Sequence, residues 1–194
     1  MSHEANPAPM GLAALAVAVF GIFPVHLGLV DSSAIPILGI FFLAGFIVQL
    51  FTGLKELEHG SIAGGNIFVV FACLLLLSLG LELLYSYFAA MFGLEVDHRI
   101  LGWLLMPITI ILIGATPAFF KSPLSLVLVL IPIDLGLALL TLIDLHILPA
   151  GTHTLTGILF LLAGIFALYT LIGVILNTAY NRTIIPLGPA ISKS

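Results

Sequence analysis

The chain has 194 residues, of which 61% are hydrophobic and only 7% charged, and its mean hydropathy is +1.32. A soluble domain carries about 25% charged residues, so a water-facing surface of ordinary chemistry is excluded and the solvent is lipid. The net charge of −4 comes from five basic and nine acidic residues, with no basic patch that would suggest nucleic acid.

Breakers and charges, read as punctuation, divide the chain into six apolar runs at about 11–30, 34–54, 66–90, 100–120, 124–147 and 153–177, each long enough to span a bilayer. Asn6-Pro7-Ala8-Pro9 opens the first run. Proline is tolerated in a helix's first turn and asparagine is a good cap, so Asn6 and Pro7 predict a rigid helix start. Free amides in that first turn would attract an anion; the plainer reading is that the residues only end the tail. The run is not read as a signal peptide, because no Lys or Arg precedes it and no small-residue cleavage site follows.

Ala14 and Ala18 in the first span, and Gly39, Ala44 and Gly45 in the second, predict close backbone approach. Lys55–Gly65 reads as a charged, glycine-rich loop, and Asn66 as a second helix start. The third span holds Cys73, Ser78 and Glu82; with one cysteine there is no disulfide or metal framework. Glu82 could pair with His26 or with a neighbouring subunit. Pro24, Pro107 and Pro132 interrupt spans, which is permitted where neighbours satisfy the freed carbonyls. Asp134, beside Pro132 and halfway along the fifth span, is the candidate for carrying a proton; its other reading is a neutral carboxylic acid tying two helices. Asp144 and His146 lie near the end of that span and His26 near the end of the first. They read as a pH-sensitive vestibule or as interfacial residues reaching water, and His59 and His98 as ordinary loop residues.

Only helices or closed barrels satisfy the backbone in lipid, and runs of this length without alternation are helical. The expected fold is an all-α membrane protein: one domain over residues 1–194, six transmembrane helices and no second domain. Lys55, Lys121, Arg182 and Lys193 fall on the side of the termini and Arg99 alone on the other. The positive-inside rule therefore predicts cytoplasmic termini, in a cytoplasmic (inner) membrane. No Lys or Arg lies within a predicted span, so a carboxylate crossing the chain meets no fixed counter-ion. The neutral donors available are the helix starts near Asn6 and Asn66 and the hydroxyls of Ser78 and Thr109.

Three stretches then agree with one family. Asn6-Pro7-Ala8-Pro9-Met10-Gly11-Leu12 resembles the signature that opens the first span of the acetate uptake transporter family, also called the GPR1/FUN34/YaaH or succinate–acetate permease family. Gln49, Gly53 and Glu56 keep its Q-x-x-x-G-x-x-E spacing, followed by Gly65-Asn66-Ile67-Phe68. Leu176–Pro189 looks like its C-terminal ending. The third span departs from the pattern by lacking tyrosine and tryptophan after Phe68, Val174 replaces an acid, and the segment from Glu56 to Gly65 is about five residues longer than is usual in that pattern.

The resemblance implies a homohexamer in which each protomer encloses its own narrow, mostly apolar pathway, with no cofactor and no metal. Its constriction, usually Phe, Tyr and Leu, maps onto Leu15, Leu76 and Ile133. All-aliphatic lining would gate by dewetting and offers no hydroxyl to a passing carboxylate. The implied function is transport of acetate and related short-chain carboxylates, succinate among them, by proton symport or as an anion channel. A channel for a small neutral or weakly basic solute such as ammonia, urea or water fits the aliphatic gate equally. An intramembrane enzyme is disfavoured, since the acids and histidines are scattered without a recognisable spacing, and a non-transporting scaffold with a closed pore is the fourth reading.

Overall fold

The computed structural model describes residues 5–192 of the chain, and Lys193, counted above in the charge asymmetry, lies outside them. Six helices long and apolar enough to cross a membrane run Ala8–His26, Ser32–Glu58, Ile62–Met91, Arg99–Lys121, Leu124–Asp144 and Ala150–Tyr180, hereafter spans 1 to 6. No strand occurs among the described residues. Spans 1 and 5 end earlier than the apolar runs do, for one reason. Gly28 and His146 take left-handed backbone at φ 65° and 59°, and the amides of Leu29 and Ile147 close back onto Pro24 and Leu142 at 2.9 Å. This is the usual way to terminate a helix against its last carbonyls.

The segment Lys55–Gly65 is not the loop its composition suggests. Span 2 continues through it to Glu58, where Lys55 Nζ meets Glu58 Oε2 at 2.6 Å one turn along, and the next helix starts at Ile62. Only residues 59–61 connect the two. Glycine makes the tight return possible: a Cβ on Gly65 would stand 2.9 Å from the Gly53 carbonyl.

Each span packs on its chain neighbours and span 6 returns to span 1, closing a ring whose weakest seam lies between spans 3 and 4. Prolines 24, 107 and 132 sit inside continuous helices, so span 5 is unbroken beside Asp134. At the seam of spans 2 and 3, Gly39 and Gly80 face each other. A Cβ on either would lie 2.9–3.0 Å from the other's carbonyl oxygen, the small-residue contact that brings helices close in lipid. Gly45 meets Ala14 of span 1 only at ordinary van der Waals distance, 3.9 Å from a Cβ built on the glycine to that of Ala14.

Span 3 is not uniform. Phe71–Leu77 is wound as a π-helix, and Ser78 Oγ donates back to the Cys73 carbonyl at 3.0 Å. The wider winding adds a residue to the turn, a feature often found at functional sites, and sets Phe71, Leu75 and Leu76 together on the inner face of the ring.

Beyond span 6 the chain folds back as a strap. Asn181 takes left-handed backbone, and the Asn177 side chain grips the returning segment. Its Oδ1 accepts from the amides of Ile184 and Ile185 at 2.6 and 3.0 Å, and its Nδ2 donates to the Ile185 carbonyl at 2.8 Å. Tyr169 donates to the Pro186 carbonyl. The Leu187 carbonyl accepts the Ser125 amide at 2.9 Å, satisfying a first-turn donor of span 5 that the helix cannot. At the opposite end of the bundle, Arg99 hydrogen-bonds the exposed Asp97 carboxylate and holds it at a pKa of about 2. Its folded value lies below the ordinary 3.8, so the pair's contribution is present above that pH and is lost as pH falls toward 2.

Gly39→Val is expected to lower the thermal midpoint in detergent through overpacking of about 1–3 kcal/mol, a loss that the exposed Gly114 position does not show when changed to alanine. Asn177→Ala removes three hydrogen bonds at about 1 kcal/mol each; limited proteolysis is expected to cut the chain after Tyr180 markedly faster than in the wild type.

Candidate functional site

Two cavities lie one above the other inside the ring. The larger, about 460 Å³, is built at the end of the bundle shared by the two termini. All six spans contribute to it, spans 1, 3 and 5 by their starts and spans 2, 4 and 6 by their ends. Its walls are mainly aliphatic and aromatic, with Asn6, Gln49, Glu56, Ser61, Ser122 and Thr170 as the polar side chains. Glu56 is the sole ionisable group among them, and no Lys, Arg or His of the described residues lines the cavity.

The helix start at Asn6 works differently from the expectation. Pro7 and Pro9 carry no N–H, the Ala8 amide is taken by Asn6 Oδ1 at 3.0 Å, and the Met10 amide by the Pro7 carbonyl at 3.0 Å. Span 1 therefore opens with no free amide through Met10; what Asn6 brings to the cavity is its own side chain. Asn66 is not at a helix start at all. It lies in the second turn of a helix begun at Ile62, is exposed, and donates to the Ile62 carbonyl at 2.8 Å.

Gln49 is the polar centre of the inner cavity and was not a candidate from sequence. It is 1% exposed. Its Nε2 donates to the Gly11 carbonyl at 3.2 Å, while its Oε1 is buried without a protein partner. The Gly11 carbonyl can only accept, so it fixes which way the amide points. Thr170 Oγ1, of another lining residue, is likewise buried and unpartnered. The signal available in the sequence was a glutamine inside an apolar run, where a side chain that costs so much to bury needs a reason.

The smaller cavity, about 50 Å³, continues the path toward the other end and has no polar side chain in its lining. It holds a few waters at most, at roughly 10–15 Å³ of such volume each. Leu15, Leu76 and Ile133 all line it, 6%, 3% and 2% exposed. Three separate spans thus bring the expected constriction residues to one place. Leu15 and Phe71 border both cavities and form the step between them. Phe71, Leu75 and Phe160 join the neck without having been anticipated, the first two because the π turn rotates them inward.

The remaining polar candidates lie off this path. Asp134 is buried and accepts a 2.6 Å hydrogen bond from Thr116 Oγ1, whose oxygen is also 3.1 Å from the Leu112 carbonyl. The Leu112 carbonyl also accepts the Thr116 backbone amide, so it is satisfied whichever way the hydroxyl proton points. Asp134 is among the lining residues of neither cavity and ties spans 4 and 5. Thr109 meets Thr141 at 3.0 Å and Thr141 donates to Leu137, while Ser78 is spent on Cys73. Neither expected hydroxyl donor faces the conduit.

At the far end, His26 meets a residue that the sequence did not single out, His153. Their Nδ1 atoms are 2.9 Å apart and the rings stack at 5.0 Å, with Phe160 of the neck 5.7 Å from the His26 ring. One proton fills that gap, so the two rings cannot both be protonated at Nδ1. Glu82 does not pair with His26. It accepts from Ser86 at 2.6 Å and lies 3.8 Å from His98, which is thereby more than a loop residue. Asp144 ends span 5, and His146 follows it with left-handed backbone. Among the described residues no set of three or more His, Cys, Asp or Glu could hold a metal.

Comparison with known proteins agrees with this geometry. The model of the GPR1/FUN34/yaaH family matches residues 1–189. A solved structure described as the bacterial acetate channel SatP superposes with a TM-score of 0.79 at 26% identity, covering 95% of this chain and 99% of that one. No curated protein matches.

Replacing His153 by Phe strands a buried ring nitrogen of His26, at a cost of about 1–3 kcal/mol. The double change His26→Phe/His153→Phe is expected to be more stable than that single change, a difference readable from thermal midpoints in detergent.

Proposed function

Because this chain belongs to the GPR1/FUN34/yaaH family, we propose that it carries acetate and similar short monocarboxylates across the membrane through the stacked cavities of each protomer. The observation that carries the reading is the wholly apolar neck at Leu15, Leu76 and Ile133, set between a polar inner cavity and the His26–His153 end. The likeness to a structure described as an acetate channel, over nearly all of both chains, supports the same choice of solute. A hydrophobic neck passes solute by transient wetting and favours small molecules with an apolar end. The methyl group of acetate suits such a neck; succinate, with a carboxyl at each end, suits it less.

The finer parts of the proposal follow from the same features. The positive-inside asymmetry, with Lys55, Lys121 and Arg182 at the end of the inner cavity, supports cytoplasmic termini in an inner membrane. Spans 2 and 4 present large apolar side chains outward, Phe41, Phe51, Trp103 and Ile110 among them, faces suited to lipid and to the neighbouring subunits of a homohexamer. Proton coupling needs no wire through Asp134, since the acid can carry its own proton.

The second reading, a channel for ammonia, urea or water, is favoured by one observation, that no basic residue among the described ones lines the cavities. Uptake into proteoliposomes across acetate, propionate, lactate, succinate, ammonia and urea separates the two. Acetate flux above protein-free vesicles is expected, and ammonia or urea flux without it would overturn the proposal. Ile133→Ala enlarges the neck and is expected to raise lactate uptake several-fold relative to acetate; an unchanged ratio would remove Ile133 from the constriction.

A further inference from the structure

We propose that Ser78 is a positioning residue for the neck. Its hydroxyl holds span 3 in the π winding that brings Phe71, Leu75 and Leu76 into the constriction together, and so sets which solutes fit. The inference rests on the reading of the chain as a monocarboxylate carrier and adds a residue that shapes selectivity without touching the path.

Helix geometry sets the problem. An α-helix turns about 100° per residue, so Phe71 and Leu75 would lie about 40° apart and Leu76 about 140° from Phe71. An α-wound span 3 can present Phe71 and Leu75 to the neck, or Leu76, but not all three. Yet all three line the neck and are buried. Winding Phe71–Leu77 as a π-helix widens the turn, through bonds from i to i+5, and carries Leu76 back over Phe71. The Leu76 side chain then fits against a glycine of span 2: a Cβ on Gly45 would lie 3.1 Å from Leu76 Cδ1.

Such a winding is rare and needs a contact that the α form lacks. Thr52, Thr116, Thr141 and Thr156 return their hydroxyls to the carbonyl four residues back, the one that an α-helix puts within reach. Ser78 Oγ instead reaches five residues back, to the Cys73 carbonyl at 3.0 Å, while the Ser78 amide goes to the Leu75 carbonyl. Rewound as α, the hydroxyl would reach Leu74, whose carbonyl the ladder already serves. The bond to Cys73 therefore belongs to the wide turn, and a contact made in one of two windings shifts the balance toward it. In hydrocarbon no water replaces the lost donor. Ser78 itself lines the groove between spans 3 and 4 and neither cavity, with Leu79 standing between groove and neck. It acts on the neck through the winding of its own span.

The test uses the full chain in proteoliposomes and reads uptake of lactate relative to acetate, each above protein-free vesicles. Ser78→Thr keeps the hydroxyl and is expected to keep the wild-type ratio. Ser78→Val, close to threonine in shape, and Ser78→Ala are expected to raise the ratio several-fold, because Leu76 turns out of the neck. Leu76→Ala is expected to raise it in the wild type and to add nothing in Ser78→Ala, a coupling that independent sites do not show. A general loss of stability would lower both fluxes and leave their ratio alone. A structure of Ser78→Ala reads the winding directly, with an α-wound span 3 expected. A retained π turn, an unchanged ratio in Ser78→Ala or Ser78→Val, or additivity with Leu76→Ala overturns the inference while leaving acetate carriage intact. Absence of any protein-dependent acetate uptake in the wild type would instead overturn the carrier reading, and the structure of Ser78→Ala would still decide whether Ser78 sets the winding.

Discussion

The structure depends on one constraint, that a polar group in hydrocarbon must find its partner within the protein. Most of the chain's few polar side chains obey it locally. Thr52, Thr116, Thr141 and Thr156 return their hydroxyls to carbonyls one turn back, and the Asn177 side chain makes three bonds to the strap. Against that background the exceptions stand out. Gln49 Oε1, Thr170 Oγ1, His26 Nε2 and Ser125 Oγ are buried without a partner among the described residues, and Gln49 and Thr170 belong to the lining of the larger cavity.

The same constraint shapes the conduit. An apolar neck between polar ends demands nothing of a passing molecule except that it leave its water behind. Among the described residues no Lys or Arg stands on either cavity wall to offset the loss of hydration that an anion would suffer. A solute that has already neutralised itself crosses at lower cost.

Composition and run length made the architecture legible, because twenty apolar residues in lipid have one conformation open to them. The helix ends were less so. Lys55, Glu56 and Glu58 look like loop residues, yet they extend span 2 past the bilayer core, where charges on a helix are unremarkable. Leu15, Leu76 and Ile133 were placed by family resemblance, and the structure brings them to one cavity; no periodicity would have chosen them from dozens of similar aliphatics. What stayed hidden depended on long-range contacts. The partnership of His26 with His153 joins residues 127 positions apart, and the π turn in span 3 leaves no mark in a run of Leu, Ala and Phe. Asp134 misled for the opposite reason: an acid beside a proline suggests an opened helix, but span 5 runs through without a break.

The folded-back C-terminus has a practical corollary. Its last described contact, the Ser192 amide on the Phe120 carbonyl at 2.9 Å, sets it beside Phe119, Ser122 and Pro123 of the larger cavity's rim. A reporter or purification tag fused there would be tethered beside that rim, so cargo of any size belongs behind a long, flexible leader.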